Sequence, residues 1–260
     1  MKLEILNIKF INLLLILSVS SHLSNAKSQF PDSTFQRANK LYIEKNYDIA
    51  IAVYENIIRS GNYTAELYFN LGNACYKTGN YAGAILNYER AKKLNPSDED
   101  IDFNLRLANL NTIDKIEPAP KVFYVKWWND FVNSSTIKDH TQKGLLFIWI
   151  SFVVVCLYVL INHTTIKRIT FFTAAILLIA GAFTIFLAKK QFQELNEHKS
   201  AIIFSSGTYV KSSPDDNSIN LFMLHSGTKV DVIDELQNWK RIRIANGNEG
   251  WIPAGAIEII

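Results

Sequence analysis

The side chains that most often carry out catalysis or bind metal ions are few in this sequence, and they lie far apart. The five histidines are His22, His140, His163, His198 and His225. None has a second ligand at the spacing of a zinc site. Ser226 directly follows His225, which is typical of a turn, and no P-loop, G-x-S-x-G or H-E-x-x-H pattern occurs. The acidic run 98–102 is typical of a solvated helix start. We therefore predict no catalytic residue, no metal and no cofactor, and a protein that is not an enzyme.

The cysteines and the charge balance narrow the function classes further. Cys75 lies on the inward side of a predicted helix and Cys156 lies in an apolar run, so we expect two buried thiols without a disulfide. The net charge of +3 over 260 residues is not concentrated in one segment. Such a distribution gives no electrostatic footprint for nucleic acid. Binding and scaffolding remain as the favoured classes.

A 34-residue repeat indicates how the N-terminal part is built. Seven residues recur in order: Tyr42, Asn46, Tyr47, Ala50, Ile51, Tyr54 and Glu55 return as Tyr76, Asn80, Tyr81, Ala84, Ile85, Tyr88 and Glu89. Helical hairpins with this period bury their apolar faces only by stacking on one another, which creates an extended docking surface. The pattern therefore favours a binding protein.

The second unit, 65–98, resembles the tetratricopeptide repeat. It has the small or aromatic residues of that family at Leu71, Gly72, Tyr76, Gly79, Tyr81, Ala84, Tyr88, Ala91 and Pro96. The first unit, 31–64, departs from the pattern, because Arg37 and Ala38 replace leucine and glycine. A closing helix is expected over 99–115. Together these parts predict a repeat domain over 27–115.

The first helix of each tetratricopeptide hairpin lines a concave groove, so the resemblance implies a protein-binding groove. The predicted groove residues are Phe35, Asn39, Tyr42, Phe69, Asn73, Tyr76 and Phe103. Aromatic rings with amide donors suit an extended peptide or a helix of a partner. Alternatively, these rings pack between repeats. Asn39 and Asn70 match the amides of a carboxylate clamp, but Phe35, Asp100 and Asn104 occupy its cationic positions, which argues against a clamp.

Three apolar runs predict how the chain relates to a membrane. The runs 144–161 and 169–188 contain no charge and approach the length that crosses about 30 Å of hydrocarbon. They predict a transmembrane hairpin with the loop 162–168, whereas two buried core helices are the alternative. The run after Lys2 and Lys9 predicts a signal peptide over 1–26, or an uncleaved anchor. Either form exports the chain, so the loop is expected in the cytoplasm and both soluble parts in the periplasm.

Two linkers flank this hairpin. Segment 116–143 is predicted as a proline-spaced linker followed by an interfacial aromatic segment, and 189–199 as a second linker. Trp127 and Trp128 precede the first span, and tryptophan rings concentrate at headgroup depth. Alternatively, both rings pack back on the repeats.

From residue 200 to 260 the pattern changes to short alternating runs separated by turns, which predicts a small closed β-barrel. The segments 209–214, 224–230 and 250–253 resemble a bacterial SH3-type domain. Relatives of that domain bind cell-wall peptides or protein segments, which makes Tyr209, Trp239 and Trp251 the candidate ligand surface. Trp239 fits a core position equally well.

The order of these parts, with residues 114–118 and the tryptophan pair, resembles the BatE family of the Bacteroides aerotolerance operon. The predicted fold class is multidomain: all-α tetratricopeptide repeats, a two-helix transmembrane hairpin and a C-terminal all-β SH3-like barrel. The resemblance implies a bacterial inner-membrane protein that works in envelope stress with the operon's von Willebrand factor A-type membrane proteins and an AAA-type ATPase. We expect a non-catalytic scaffold. The alternative is a peptidoglycan-binding sensor that acts mainly through the barrel.

Overall fold

The computed structural model describes residues 32–120, 122–197 and 199–260. The predicted signal peptide, 1–26, lies outside the described residues. Within them the chain forms helical N-terminal repeats, two long apolar helices and a C-terminal antiparallel all-β domain. The predicted fold class is confirmed.

Five helices in the described part build the repeats: α1 (Asp32–Ile43), α2 (Tyr47–Arg59), α3 (Ala65–Lys77), α4 (Tyr81–Leu94) and α5 (Glu99–Asn109). Side-chain caps begin the last three, because Thr64, Asn80 and Asp98 accept hydrogen bonds from main-chain N–H groups of the first turn. Helix α5 ends at Asn109 rather than at 115. Lys115 folds back and donates to the main-chain oxygens of Asn109 and Leu110, which satisfies acceptors that the end of the helix leaves free.

Three further helices follow: α6 (Phe123–Val132), α7 (Ile137–Leu160) and α8 (Thr164–Glu197). Helix α7 begins before the predicted 144, because Thr136 and Asp139 form a capping box. Helix α8 begins inside the predicted loop 162–168 and continues through most of the predicted linker 189–199. Both α7 and α8 are long and apolar enough to cross a membrane, and only 11% and 22% of their most apolar windows are buried. That exposure argues against a pair of soluble core helices.

Small residues hold α7 and α8 together. A Cβ added to Gly144 would lie 2.7 Å from a side-chain carbon of Ile185, and one on Gly181 would lie 2.9 Å from Ile148. The Ser151 hydroxyl donates a 2.8 Å hydrogen bond to a main-chain oxygen of α8. The two helices therefore form a close antiparallel hairpin, as small residues permit in apolar surroundings.

Seven strands in the described part form one sheet: β1 (Lys199–Ile203), β2 (Thr208–Lys211), β3 (Asn220–Leu224), β4 (Lys229–Leu236), β5 (Trp239–Arg243), β6 (Glu249–Pro253) and β7 (Ile257–Ile259). Their order is β3-β2-β6-β5-β4-β1-β7, with antiparallel pairs throughout. Gly227 and Gly247 supply the positive φ angles, +93° and +95°, that two of the predicted turns need. Strands β3 and β7 are the two ends of this strand order.

Candidate protein-binding surfaces

The two repeat hairpins make the same polar contact at the 34-residue offset. The Tyr54 hydroxyl donates a 2.7 Å hydrogen bond to Asn39 Oδ1, and the Tyr88 hydroxyl donates a 2.8 Å hydrogen bond to Asn73 Oδ1. Both tyrosines are buried, at 1% and 2% exposure. Each bond ties the two helices of one hairpin together, so the first hairpin has the geometry of the second despite its weaker sequence match.

The same two acceptors also join successive repeats. Asn70 Nδ2 donates to Asn39 Oδ1 at 3.2 Å, and Asn104 Nδ2 donates to Asn73 Oδ1 at 3.0 Å. The amide oxygens of the predicted groove residues Asn39 and Asn73 are thus each used twice within the fold. They set the spacing of α1, α3 and α5. Asn39 and Asn70, the pair that matched a carboxylate clamp, bond to each other.

The predicted groove aromatics form repeat-equivalent ring pairs. The centroid distances are 6.2 Å for Phe35–Tyr54, 5.9 Å for Phe69–Tyr88, 5.3 Å for Tyr42–Tyr47 and 5.5 Å for Tyr76–Tyr81. Phe35 is 8% exposed, so it packs between helices and supports the groove from beneath. Tyr42, Phe69 and Tyr76 are half-buried and keep an accessible face. Phe103 on α5 is 59% exposed.

One end of this groove opens into a cleft of about 240 Å³. Its lining residues are Tyr42, Asn73, Tyr76, Lys77, Tyr88, Asn104 and Leu107. It brings three predicted groove residues together with Tyr88 and Asn104. It also adds Lys77 and Leu107, which sequence reasoning missed. Leu107 lies 34 residues after Asn73, so extending the repeat by one more unit would have found it.

The three barrel candidates lie on one outward face of the sheet. Trp251 on β6 is paired with Arg241 on β5 and with Lys211 on β2. Trp239 lies two residues before Arg241, and Tyr209 lies two residues before Lys211. Side chains two residues apart on a strand point to the same face. Trp239 and Trp251 are half-buried, and Tyr209 is 49% exposed.

Two neighbours enlarge this aromatic face. Pro253 pairs with Trp239, and Met223 pairs with Tyr209. Both are exposed, while the alternating residue Ile252 is fully buried in the barrel core. Sequence reasoning missed Pro253 and Met223, although period-2 alternation from Trp251 would have indicated the proline.

Comparison with known protein families gives two matches. Residues 65–98 match the tetratricopeptide repeat, and residues 206–258 match the bacterial SH3 domain. The chain therefore carries two interaction domains. Both families are non-catalytic binding modules. No curated protein matches the chain. The repeat match begins at α3, which agrees with the weaker sequence pattern of the first hairpin.

The repeats and the barrel are in direct contact along α4. Arg90 Nη2 donates to Glu258 Oε1 at 3.0 Å and to the main-chain oxygen of Ile259 at 2.8 Å. Lys229 Nζ donates to Glu89 Oε2 at 2.7 Å. The two charge pairs join the second hairpin to strands β7 and β4.

An apolar contact reinforces these charge pairs. Ala201 and Ile203 of β1 belong to the barrel core, whereas Ile202 between them belongs to the core of the repeats. All three are fully buried. Strand β1 therefore contributes to two hydrophobic cores, one on each of its faces.

Asp114, in the segment after α5, adds a polar clamp. Its Oδ2 accepts hydrogen bonds from the His225 main-chain nitrogen at 2.7 Å and from Thr228 Oγ1 at 2.6 Å, and its Oδ1 lies 2.8 Å from His225 Nδ1. Burial raises the pKa of Asp114, but the hydrogen bonds from Thr228 and His225 together lower it by more. The pKa of Asp114 therefore lies below its ordinary value. The carboxylate is thus held ionised at the domain junction.

Proposed function

We propose that this protein is a non-catalytic scaffold of a bacterial inner membrane, which presents its repeats and its SH3-type barrel to the periplasm. The observation that carries this proposal is the direct contact between the repeats and the barrel. The two apolar helices α7 and α8 separate these domains in the sequence. A hairpin that spans a bilayer returns the chain to the side from which it entered. The contacts of Arg90 with Glu258 and of Asp114 with His225 are possible only when both domains lie on that side.

The proposed membrane scaffold also defines the domain boundaries. We propose a secretory signal over 1–26, repeats over 27–115, spans within α7 and α8, and an SH3-type domain over 200–260. The exposed aromatic residues of α6, Phe123 at 82% and Trp127 at 65%, support an interfacial position for that helix beside the bilayer.

The groove is proposed to bind a protein partner. Tyr42, Phe69, Tyr76 and Phe103 offer ring faces along three successive helices, and the cleft beside Leu107 gives a concave anchor point. Large, rigid aromatic side chains in such concave surfaces dominate many protein interfaces. The interaction-domain assignment of the repeats supports this role.

The proposed partner class rests on the resemblance to the BatE family. It comprises the membrane proteins of the aerotolerance operon that carry von Willebrand factor A-type domains, and the process is envelope stress tolerance. Tethering two weak sites on one body raises the local concentration of each ligand for the other site. A scaffold of this kind needs no catalytic residue.

Crosslinking in native membranes tests the groove. A photoreactive residue is placed at Tyr76 or Phe103 in the groove, or at Tyr63, which is 59% exposed outside the predicted groove. We expect one membrane protein with a von Willebrand factor A-type domain to be captured from the two groove positions and not from Tyr63. Equal capture from all three positions, or capture of lipid alone, would remove the groove assignment.

A second candidate function is a peptidoglycan sensor, which the outward aromatic face of the barrel favours. Full-length protein in detergent is tested for binding to purified wall sacculi, with Tyr209→Ala and Trp251→Ala variants. Retention that is lost in both variants would support the sensor. No retention of the wild-type protein would exclude it and leave the scaffold.

A further inference from the structure

The segment that leaves the repeats, 112–119, lies on the barrel in the manner of a bound peptide. Exposure alternates along it, which is the pattern of an extended chain with one side against a surface. The half-buried residues are Thr112, Asp114 and Ile116. The exposed residues between and after them are Ile113, Lys115 and Glu117. One side of the segment therefore contacts the barrel, and the other side lies in solvent.

Asp114 is the polar anchor of this segment. The main-chain nitrogen of His225 and the hydroxyl of Thr228 donate to its Oδ2 at 2.7 Å and 2.6 Å, and its Oδ1 lies 2.8 Å from His225 Nδ1. The side chain of Asp114 is only 13% exposed, so these contacts are shielded from water. A carboxylate accepts hydrogen bonds at both oxygens, whereas an amide accepts at only one. The barrel therefore favours an aspartate at this position.

Apolar and close steric contacts flank the anchor on both sides. Ile116 packs against the hydrophobic core of the barrel. On the other side, a Cβ added to Gly227 would lie 2.7 Å from Thr112 Cγ2, so this approach requires a glycine. Farther along, the main-chain nitrogen of Ala119 donates to the main-chain oxygen of Ala245 at 3.0 Å. These contacts fix the direction and the register of the segment on the barrel.

The segment is attached to the barrel without being part of its sheet. Residues 114–120 belong to neither a helix nor a strand, and they lie between the end of α5 and the start of α6. The segment can therefore leave the barrel without unwinding either helix. The contacts of Arg90 with Glu258 and of Ile202 with the repeat core do not involve it, so the domains remain joined when it leaves. A separate peptide with the same side chains can then take its place.

We propose that the surface around His225, Thr228 and Ala245, here called the linker site, recognises an extended peptide of another protein. Segment 112–119 occupies this site as an internal competitor. The occupant defines the chemistry of the partner: an aspartate, followed two residues later by an aliphatic side chain that reaches the barrel core.

The internal competitor sets a threshold for binding. A tethered segment competes at an effective concentration on the order of millimolar, so only a partner that is held close to the barrel displaces it. The linker site is made of other residues than the aromatic face of Tyr209 and Trp251. It goes beyond the proposed function, because it depends neither on the repeat groove nor on the side of the membrane.

Peptide binding to the full-length protein in detergent tests the linker site. The probe is a fluorescent peptide of residues 111–120, and the protein is opened by the double substitution Asp114→Ala and Ile116→Ala. We expect the opened protein to bind the probe at least about tenfold more tightly than wild-type protein, because its internal competitor is weakened. Fluorescence anisotropy measures both affinities.

Matched peptides separate recognition from general adhesion. Asp114→Asn in the peptide should weaken binding about tenfold, the effect of losing one charge-assisted hydrogen bond, whereas Glu117→Gln on the exposed side should not. Ile116→Ala should also weaken binding, whereas Ile113→Ala, at a position that is 69% exposed, should not. In the opened protein, Thr228→Val removes the donor to the aspartate and should weaken binding of the unaltered probe.

Asp114→Asn alone is a milder way to open the linker site, and it keeps the test decisive if the double variant does not fold. Failure of the probe to bind either opened protein would overturn the site. Equal binding of the peptides with Asp114→Asn and Glu117→Gln would overturn it as well. We expect wild-type protein to be a monomer in mass photometry. A dimer that the probe converts to a monomer would overturn another protein as the partner, since a second copy would then supply the segment.

Discussion

Asp114, which follows the repeats, holds the barrel residue His225 by both its ring and its main chain, with Oδ1 2.8 Å from Nδ1 and Oδ2 2.7 Å from the backbone nitrogen. This contact joins segments 111 residues apart. It makes the repeats and the barrel one body, so the two binding surfaces have a fixed relation to each other.

Replacing Asp114 should weaken the contact between the repeats and the barrel. Asp114→Asn keeps one acceptor oxygen but puts an NH₂ group against donors, which should cost about 1–3 kcal/mol. We expect faster amide hydrogen exchange in β3, β4 and the turn between them, and a lower melting temperature in detergent. Asp216→Asn, on an exposed barrel loop, is the control and should change neither. Identical exchange in Asp114→Asn and wild-type protein would contradict the clamp.

The lowered pKa of Asp114 predicts how the stability of the protein changes with pH. The folded-state pKa of Asp114 is below its unfolded value, so its contribution to stability is fully present above the unfolded pKa and is lost as the pH falls through the folded pKa. The difference in unfolding free energy between wild-type protein and Asp114→Asn should therefore be constant above about pH 5 and shrink below about pH 4. Melting temperatures of both proteins between pH 3 and pH 7 measure it. A difference that grows on acidification would contradict this assignment.

Ile202 should matter to the repeats although it belongs to a barrel strand. Ile202→Ala removes a fully buried side chain from the repeat core and should cost about 2–5 kcal/mol. Cys75 lies in the same core, where burial raises the pKa of its thiol to about 12 and suppresses its reactivity. In a Cys156→Ser background we expect maleimide to label Cys75 faster in Ile202→Ala. Ile219→Ala, at a barrel position that is 74% exposed, should leave the rate unchanged.

Gly72 allows α3 and α4 to approach closely. A Cβ there would lie 2.7 Å from two ring carbons of Tyr88, whose hydroxyl is fixed by Asn73. Gly72→Leu should therefore overpack the hairpin and cost about 1–3 kcal/mol. Gly255→Ala is the control, since nothing lies within 4 Å of a Cβ at that position. Thermal melts followed by helical circular dichroism compare the variants, and unchanged melting of Gly72→Leu would contradict the predicted contact.

Local periodicity predicted the fold better than it predicted the ends of the helices. The 34-residue offset that pairs Tyr54 with Tyr88 reappears in their bonds to Asn39 and Asn73. The first apolar helix begins before the predicted span, because an apolar run marks the part that fits hydrocarbon and not the whole helix. The Thr136 capping signal was visible in the sequence and would have corrected this.

The junction between the domains was not predictable in the same way. The pairs Arg90 with Glu258 and Asp114 with His225 have no local pattern, since they depend on how two independently recognisable domains dock. One signal was present: Ile202 lies in a continuous apolar run of β1, and such runs indicate a strand that is buried on both faces. Gln191 Oε1, a buried acceptor without a hydrogen-bond donor among the described residues, likewise has no sequence signature.

Single-cysteine labelling tests most directly whether the repeats and the barrel share one side of the membrane. In a background with Cys75→Ala and Cys156→Ser, one of three exposed positions is changed: Lys40→Cys on the repeats, Asn217→Cys on the barrel or His163→Cys between α7 and α8. Intact spheroplasts are treated with a membrane-impermeant maleimide. We expect labelling at the first two positions without permeabilisation and at His163→Cys only after it. Labelling of the repeats without the barrel, or of the barrel without the repeats, would contradict the shared side.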